Sequence, residues 1–386
     1  MTLRKATHGQ IRRENRQLLL RAVYSGLANS RVDLANETGL AKPTVSDLIG
    51  ELIEAGYLAE TGFGQSTDEG GKRPRLLRFV PGARDVIGIS VSSERILGVL
   101  SDLDGRVLVH HFRDLAGARG ALVVDILCEV INGLLAQQSA PLLCIGVGIP
   151  GVADSDTGLV HYAPYLDWEN VQLAGILSRR YEVPVYVANS TELAAMAQYA
   201  FSEINGASNL VTILVNENVG VGLVLDGAKY HGGSELGRLR ISWSSQLPAE
   251  SDLEAHLGWQ YVRQRALPLG ARYVDSSLPG DKLTYLHIRE AVSEQEPLAV
   301  ALRDELASYL AQVFAWVLAL LHPDHISLAG GIADLGEPFL DGVIEKTRAL
   351  VWPDVMNAVS FSLNNASNLV AIGAVAQALQ KELGLI

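Results

Sequence analysis

The stretch IGISVSSERILGVLSDLDG, residues 87–105, decides the fold. It reads as a strand, a polar bend Ser90-Val91-Ser92-Ser93-Glu94, a second strand and an Asp104-Gly105 turn. The same plan returns in VTILVNENVGVGLVLDG, residues 211–227, with Asn216-Glu217-Asn218 at the bend and Asp226-Gly227 at the turn. Two copies so far apart predict two similar lobes rather than a solenoid. Between them helices and strands alternate: ALVVDILCEVINGLLAQ (121–137) and VQLAGILSRRY (171–181) as helices, LLCIGVGIPG (142–151) and PVYVANS (184–190) as strands, TELAAMAQYAFS (191–202) as a further helix. A two-lobed α/β body with a cleft between its lobes follows.

The chain has 386 residues, 48% apolar and 19% charged, which suits well-packed domains rather than disorder. Met1 to Gln17 is polar and basic and lacks the apolar core of a signal peptide. The longest apolar run, ASYLAQVFAWVLALLH (307–322), is shorter than the roughly 20 residues a membrane span needs and reads as a buried helix. Cys128 and Cys144 sit in apolar segments without metal-ligand spacing, so they read as inert core residues. A cytoplasmic protein with no cofactor, no metal and no membrane partner is expected.

The net charge of −12 speaks against nucleic acid, but its distribution does not. Residues 1–80 hold 12 Lys/Arg against 9 Asp/Glu, a net +3, and the remainder holds 19 against 34, a net −15. A mildly basic head on an acidic body suits a small nucleic-acid module joined to a domain with another task. Within the head, NRQLLLRAVYSG (15–26) has apolar residues at helical spacing and a terminal Gly26. Ser30 and Asp33 form a capping pattern for a second helix, Gly39-Leu40 makes a turn, and AKPTVSDLIGELIEAG (41–56) is a third helix with Pro43 in its first turn. That turn exposes Lys42, Pro43, Thr44 and Ser46, small and basic side chains suited to the major groove. Strands at Tyr57–Glu60 and Leu76–Val80 flank a Gly-rich loop, which makes a winged helix-turn-helix. Lys72, Arg73 and Arg75, with Arg78, cluster on the wing for phosphate contact, and Arg12 and Arg13 add further backbone contacts.

Longer motifs in order make the reading specific. NRQLLL (15–20), SRVDLANETGLAKPTVSDLIGELIEAGYLAE (30–60) and GGKRPRLLRF (70–79) lie in the head. IGVGIPGVADSDTGLV (145–160), APYLDWENVQL (163–173), VPVYVANSTELAAMA (183–197), DGAKYHGGSELGRL (226–239) and ISLAGGI (326–332) lie in the body. From about residue 10 to the C-terminus the chain resembles the ROK family, bacterial repressors and sugar kinases that share an actin-like ATPase fold, and it resembles the repressor branch most. The resemblance implies a winged helix-turn-helix over 1–82 and a two-lobed, ribonuclease H-like effector body over 83–386. Lobe 1 would span about 83–190 plus the C-terminal helix, and lobe 2 about 191–370.

Departures from the kinase pattern are as informative. The first hairpin of such kinases carries a carboxylate and glycines so that backbone can approach ATP phosphates; here the bend holds Ser90, Ser92, Ser93 and then Glu94, which repels a polyphosphate. The catalytic base is the Asp of an Asn-Asp pair, and here the pair is Asn189-Ser190, whose hydroxyl is no base near neutral pH. Many members hold zinc with a His and three cysteines; here Arg238 takes the His position and no cysteine follows. The sugar side is partly kept. By resemblance Asn189, Glu235 and Glu254 fall where sugar hydroxyls are bound, and Ser190 can donate or accept. Arg238 either favours an anionic sugar derivative or pairs with Glu235 or Glu254 and props a loop once held by zinc.

These readings predict a DNA-binding regulator of carbohydrate genes, a repressor without kinase activity. It would bind a pseudo-palindromic operator as a dimer or tetramer and respond to a sugar or sugar derivative in the cleft. The alternatives are a regulator whose body docks a protein partner and an active sugar kinase with a DNA head.

Overall fold

A computed structural model describes residues 8–64, 73–201, 207–230, 236–240, 252–270, 278 and 283–385, with the side chains of 267–270 left aside. The head comprises α1 (His8–Tyr24), α2 (Arg31–Thr38), α3 (Lys42–Glu54) and the antiparallel strands β1 (Leu58–Phe63) and β2 (Arg75–Phe79). Local chemistry sets its joints. The Ser30 hydroxyl caps α2 by accepting from the Asp33 amide at 3.3 Å, and it donates to the Asp33 carboxylate at 2.7 Å. Gly39, at φ +68°, ends α2 in the left-handed conformation that a side chain disfavours. Leu34, Ala35, Val45, Leu48, Ile49 and Leu52 are buried as the helical spacing predicts, whereas Val32 stands exposed.

The body has two five-stranded sheets of the same topology. In lobe 1, β3 (Asp85–Val91), β4 (Arg95–Ser101) and β5 (Val107–Asp114) form an antiparallel meander. Strand β6 (Leu142–Ile149) joins β3 in parallel, and β10 (Val185–Asn189) joins β6. In lobe 2, β11 (Leu210–Val215), β12 (Val219–Leu225) and β13 (Ala228–Lys229) form the meander, and β14 (His325–Ala329) and β15 (Ser360–Asn364) add in parallel. The two quoted hairpins are thus β3–β4 and β11–β12, at equivalent places in the two sheets. A small sheet of β7 (Val152–Asp154), β8 (Leu159–Ala163) and β9 (Trp168–Val171) extends lobe 1.

Helices α4 (Ala121–Leu135) and α5 (Leu173–Tyr181) cover lobe 1, and α6 (Ser190–Phe201) leads from β10 to the second lobe. Lobe 2 carries α7 (Glu254–Leu257), α8 (Trp259–Gly270), α9 (Tyr285–Ser293), α10 (Pro297–Leu321), α11 (Glu337–Arg348) and α12 (Pro353–Asn357). The apolar run that starts at Ala307 belongs to α10, which begins ten residues earlier at Pro297 and is long and apolar enough to cross a membrane. Its Leu302, Leu306, Leu310, Phe314 and Leu318 are buried in the lobe 2 core, the pattern of a core helix.

The last helix, α13 (Leu369–Leu383), joins the parts. It lies on β3 and β6 and crosses α6 at backbone contact. A Cβ on Gly88 would meet the Ala371 carbonyl oxygen at 2.1 Å, one on Gly146 the Ala374 oxygen at 2.2 Å, and one on Gly373 the Leu193 oxygen at 1.8 Å. At its far end α13 meets the head: the Arg13 guanidinium donates to the Lys381 carbonyl at 2.8 Å, Gln17 to that of Glu382 at 3.0 Å and Arg21 to that of Gly384 at 2.6 Å. Leu19, Leu20 and Leu52 of the head share one apolar cluster with Val375, Leu379 and Leu383 of α13.

Gly373→Ala tests this crossing. Helix propensity alone would make Ala more stable by about 0.5–1 kcal/mol. The clash with Leu193 is expected to reverse that sign and destabilise the protein by about 1–3 kcal/mol in thermal or denaturant unfolding. An unchanged or raised midpoint would show that the two helices do not meet this closely.

Candidate ligand cleft and nucleic-acid interface

The exposed side of the head carries the residues expected for DNA. Lys42, Pro43 and Ser46 project from the first turn of α3, and Thr44 is half-buried toward α1. Arg73 is exposed two residues before the wing's return strand β2 begins. Arg75 is exposed but engaged: its guanidinium is bonded to Glu60, which also holds Arg31 at 2.8 Å, and it lies over the Phe63 ring at 5.8 Å. The two guanidinium groups hold the Glu60 carboxyl below its usual range. Strand β1 runs on to Phe63, past the end at Glu60 read from the sequence, and this extension brings Arg75 opposite Phe63. Arg12 pairs with Glu51 and Arg13 bonds α13, so these two brace the head. Lys72 lies outside the described residues.

Two cavities lie between the lobes. The smaller, about 60 Å³, is lined by Asn189, Glu254, Arg238 and Tyr165, with Gly151 and Asn218 completing its walls. Asn189 ends β10 with its side chain fixed: its amide donates to the Gly151 carbonyl at 2.8 Å, and its oxygen accepts from the Thr191 amide at 2.7 Å and from the Thr191 hydroxyl. Glu254, 3% exposed, accepts a hydrogen bond from the Tyr165 hydroxyl. Burial pushes the Glu254 carboxyl up, against the lowering effects of Tyr165 and of Arg238. Burial, and then the bond to Glu254, raise the Tyr165 phenol. The Arg238 guanidinium lies 4.0 Å from the Asp252 carboxylate. Ser190 is buried in the first turn of α6 and is not among the lining residues, and Glu235 lies outside the described residues.

The larger cavity, about 330 Å³, lies between the two altered bends. Ser90, Ser92 and Glu94 line it on one side, Asn216 and Glu217 on the other, with the Gly330-Gly331 turn and the start of α13 behind. Donors that could cradle an anion here are taken up by the protein. The Ser92 hydroxyl oxygen accepts from the Glu94 amide at 3.3 Å and the Arg95 amide at 3.1 Å. The Asn216 side-chain oxygen accepts from the Gly331 amide at 2.7 Å. The bends also meet each other: the Ser93 hydroxyl donates to the Glu217 carboxylate at 2.8 Å, and Glu94 lies 3.8 Å from Arg263 of α8. Anion binding by a backbone nest needs free amides and no opposing charge, and neither condition is met at these atoms.

A family model described as the ROK family matches residues 86–381. The chain belongs to the ROK family. The xylose repressor of Caldicellulosiruptor bescii is 26% identical over 356 residues, 88% of each chain. Among solved structures, a ROK family transcriptional regulator described as a homologue of the E. coli MLC protein matches with TM-score 0.81 at 22% identity, over 97% of this chain and 98% of that one. A ROK family glucokinase from Streptomyces griseus, solved with glucose and AMPPNP, matches with TM-score 0.68 at 23% identity, over 77% and 99%.

The ROK fold brings together Asn189, Arg238 and Glu254, which are far apart in the chain. It also brings in Tyr165, which the sequence reading quoted within APYLDWENVQL without giving it a role. A Pro-Tyr turn after a strand was its only local signal. The donor set for the zinc held by many members is not in this chain: both cysteines, Cys128 and Cys144, are buried in lobe 1.

The head's geometry separates two arginines. Arg73→Ala is expected to weaken binding to all DNA sequences and to reduce the salt slope by about one. Arg75→Ala should change the slope less, because its guanidinium already serves Glu60. Equal losses in salt titrations would contradict this division.

Proposed function

We propose that this ROK protein is a DNA-binding transcriptional repressor of carbohydrate genes, released or retained on its operator by a neutral sugar in the interlobe cleft, and that it transfers no phosphoryl group. The observation that carries the reading is the state of the two bends. Ser92 bonds the Glu94 and Arg95 amides, Asn216 bonds the Gly331 amide of the facing turn, and Glu94 and Glu217 stand where a polyphosphate would need positive charge. At Asn189-Ser190 a hydroxyl replaces the carboxylate that would deprotonate a sugar. The name of the C. bescii relative, a xylose repressor, supports a sugar as effector.

Residues 1–82 act as the DNA-reading unit and 83–386 as the effector body, in the cytoplasm. Two heads related by a two-fold axis would read a pseudo-palindrome, and dimers or tetramers supply that symmetry. Neutral rather than anionic sugar follows from the charges around Arg238, which faces Asp252 and Glu254 together. Helix α13 supplies the route between sites. Its Gly373 meets α6, which follows Asn189 of the smaller cavity, Leu369 and Val370 at its start line the larger cavity, and its last turn bonds α1 of the head. A change of lobe angle therefore moves the surface on which the head sits.

Capture of sheared genomic DNA by the full-length protein at near-physiological salt tests the reading. A few sharply enriched pseudo-palindromic sites are expected, lost in the Lys42→Ala/Ser46→Ala double variant, with no ADP formed from ATP and D-xylose or D-glucose. Uniform weak capture would remove the regulator reading, and sugar-dependent ADP formation would remove its non-enzymatic part.

A further inference from the structure

The sugar subsite just described is narrow, and one of the protein's own side chains occupies its acceptor. Small-molecule sites run about 300–1,000 Å³, whereas the cavity at Glu254 measures about 60 Å³, room for about four waters. The side chain on that acceptor is Tyr165. It stands in the turn Pro164–Leu166 after β8, in lobe 1, and its hydroxyl reaches across to Glu254 of α7, in lobe 2. The bond is therefore a tie between the lobes.

The acceptor is held by the protein as well: the Val219 amide bonds Glu254, and Gly237 and Gly258 pack against its side chain. The turn that carries Tyr165 is pinned too: Leu166 is fully buried and its carbonyl accepts from the Gly120 amide at 2.8 Å. The free degree of freedom is rotation of the half-buried Tyr165 side chain about its own bonds.

We propose that the Tyr165 hydroxyl is a built-in stand-in for a hydroxyl of the effector, so that Tyr165 sets both the affinity and the threshold of the sugar site. This rests on the reading of that cavity as the sugar site. A buried carboxylate left without a donor is costly, so Glu254 keeps Tyr165 until another hydroxyl replaces it. An entering neutral sugar donates to Glu254, Tyr165 swings out, and the lobe-to-lobe tie passes from the protein to the ligand. The ligand's net affinity is its own contact energy less the cost of breaking the Tyr165–Glu254 bond. The exchange needs a hydroxyl: an anionic group cannot itself take the place of Tyr165, because Glu254 only accepts when ionised.

Tyr165→Phe keeps the ring and deletes the hydroxyl. Calorimetric titration of the full-length protein with D-xylose, D-glucose and N-acetylglucosamine is expected to show at least one of them binding about tenfold tighter to this variant than to the wild type, the ratio for one hydrogen bond to a charged acceptor that no longer has to be broken. Tyr186→Phe is the matched control. It removes a tyrosine bond to Glu382 far from the cleft, and sugar affinity should stay within about twofold. Equal or weaker binding to Tyr165→Phe, or no binding to either protein, overturns the proposal. Glu254→Gln separates this failure from that of the site itself. If Glu254→Gln binds sugar as the wild type does, the cavity is not the sugar site. If it loses binding while Tyr165→Phe fails to gain it, only the role of Tyr165 falls.

Discussion

The molecule turns on the contact of helix α13 with backbone on two sides. Gly88, Gly146 and Gly373 let peptide groups approach where any Cβ would collide, so α13 is wedged between the lobe 1 sheet and α6. Because packed interiors are dense and yield little, such a helix moves as a piece with what it touches. It lines the larger cavity at one end and touches the head at the other. Head and body share an apolar cluster and are not beads on a linker, and this makes a body that senses a small molecule useful to a head that reads DNA.

On that frame the two hairpins face each other across the cleft, and serine and asparagine side chains bond backbone amides there while Glu94 and Glu217 bring negative charge. The bends then bond to each other across the cleft, Ser93 to Glu217. A second tie between the lobes runs from Tyr165 to Glu254. Under the proposed exchange, a ligand would act by replacing one of these ties with its own.

Much of this was legible in the sequence because it is local. Strand alternation and the Asp-Gly turns gave both hairpins, and Ser30, Gly39 and Pro43 marked the joints of the head through capping and turn geometry. The serine, asparagine and carboxylate side chains of the two bends are also visible from residue types alone. What escaped depends on residues remote in the chain. Tyr165 and Glu254 are 89 positions apart, and no local pattern joins them. Arg75 read as a free phosphate contact because its partner Glu60 lies across a strand pair whose extension to Phe63 the alternation did not show. Arg13 looked like a DNA contact and braces α13 instead, since a surface arginine carries no sign of the face it will meet.

The central claim is that sugar and DNA act on one mechanical unit. Its most direct test is thermodynamic reciprocity in the full-length protein, with D-xylose as first probe: sugar affinity measured with and without a saturating captured operator, and operator affinity with and without saturating sugar. Binding linkage requires the two ratios to be equal, and coupling through α13 predicts a common factor of about 5–150. A sugar affinity that is the same with and without the operator would contradict the account.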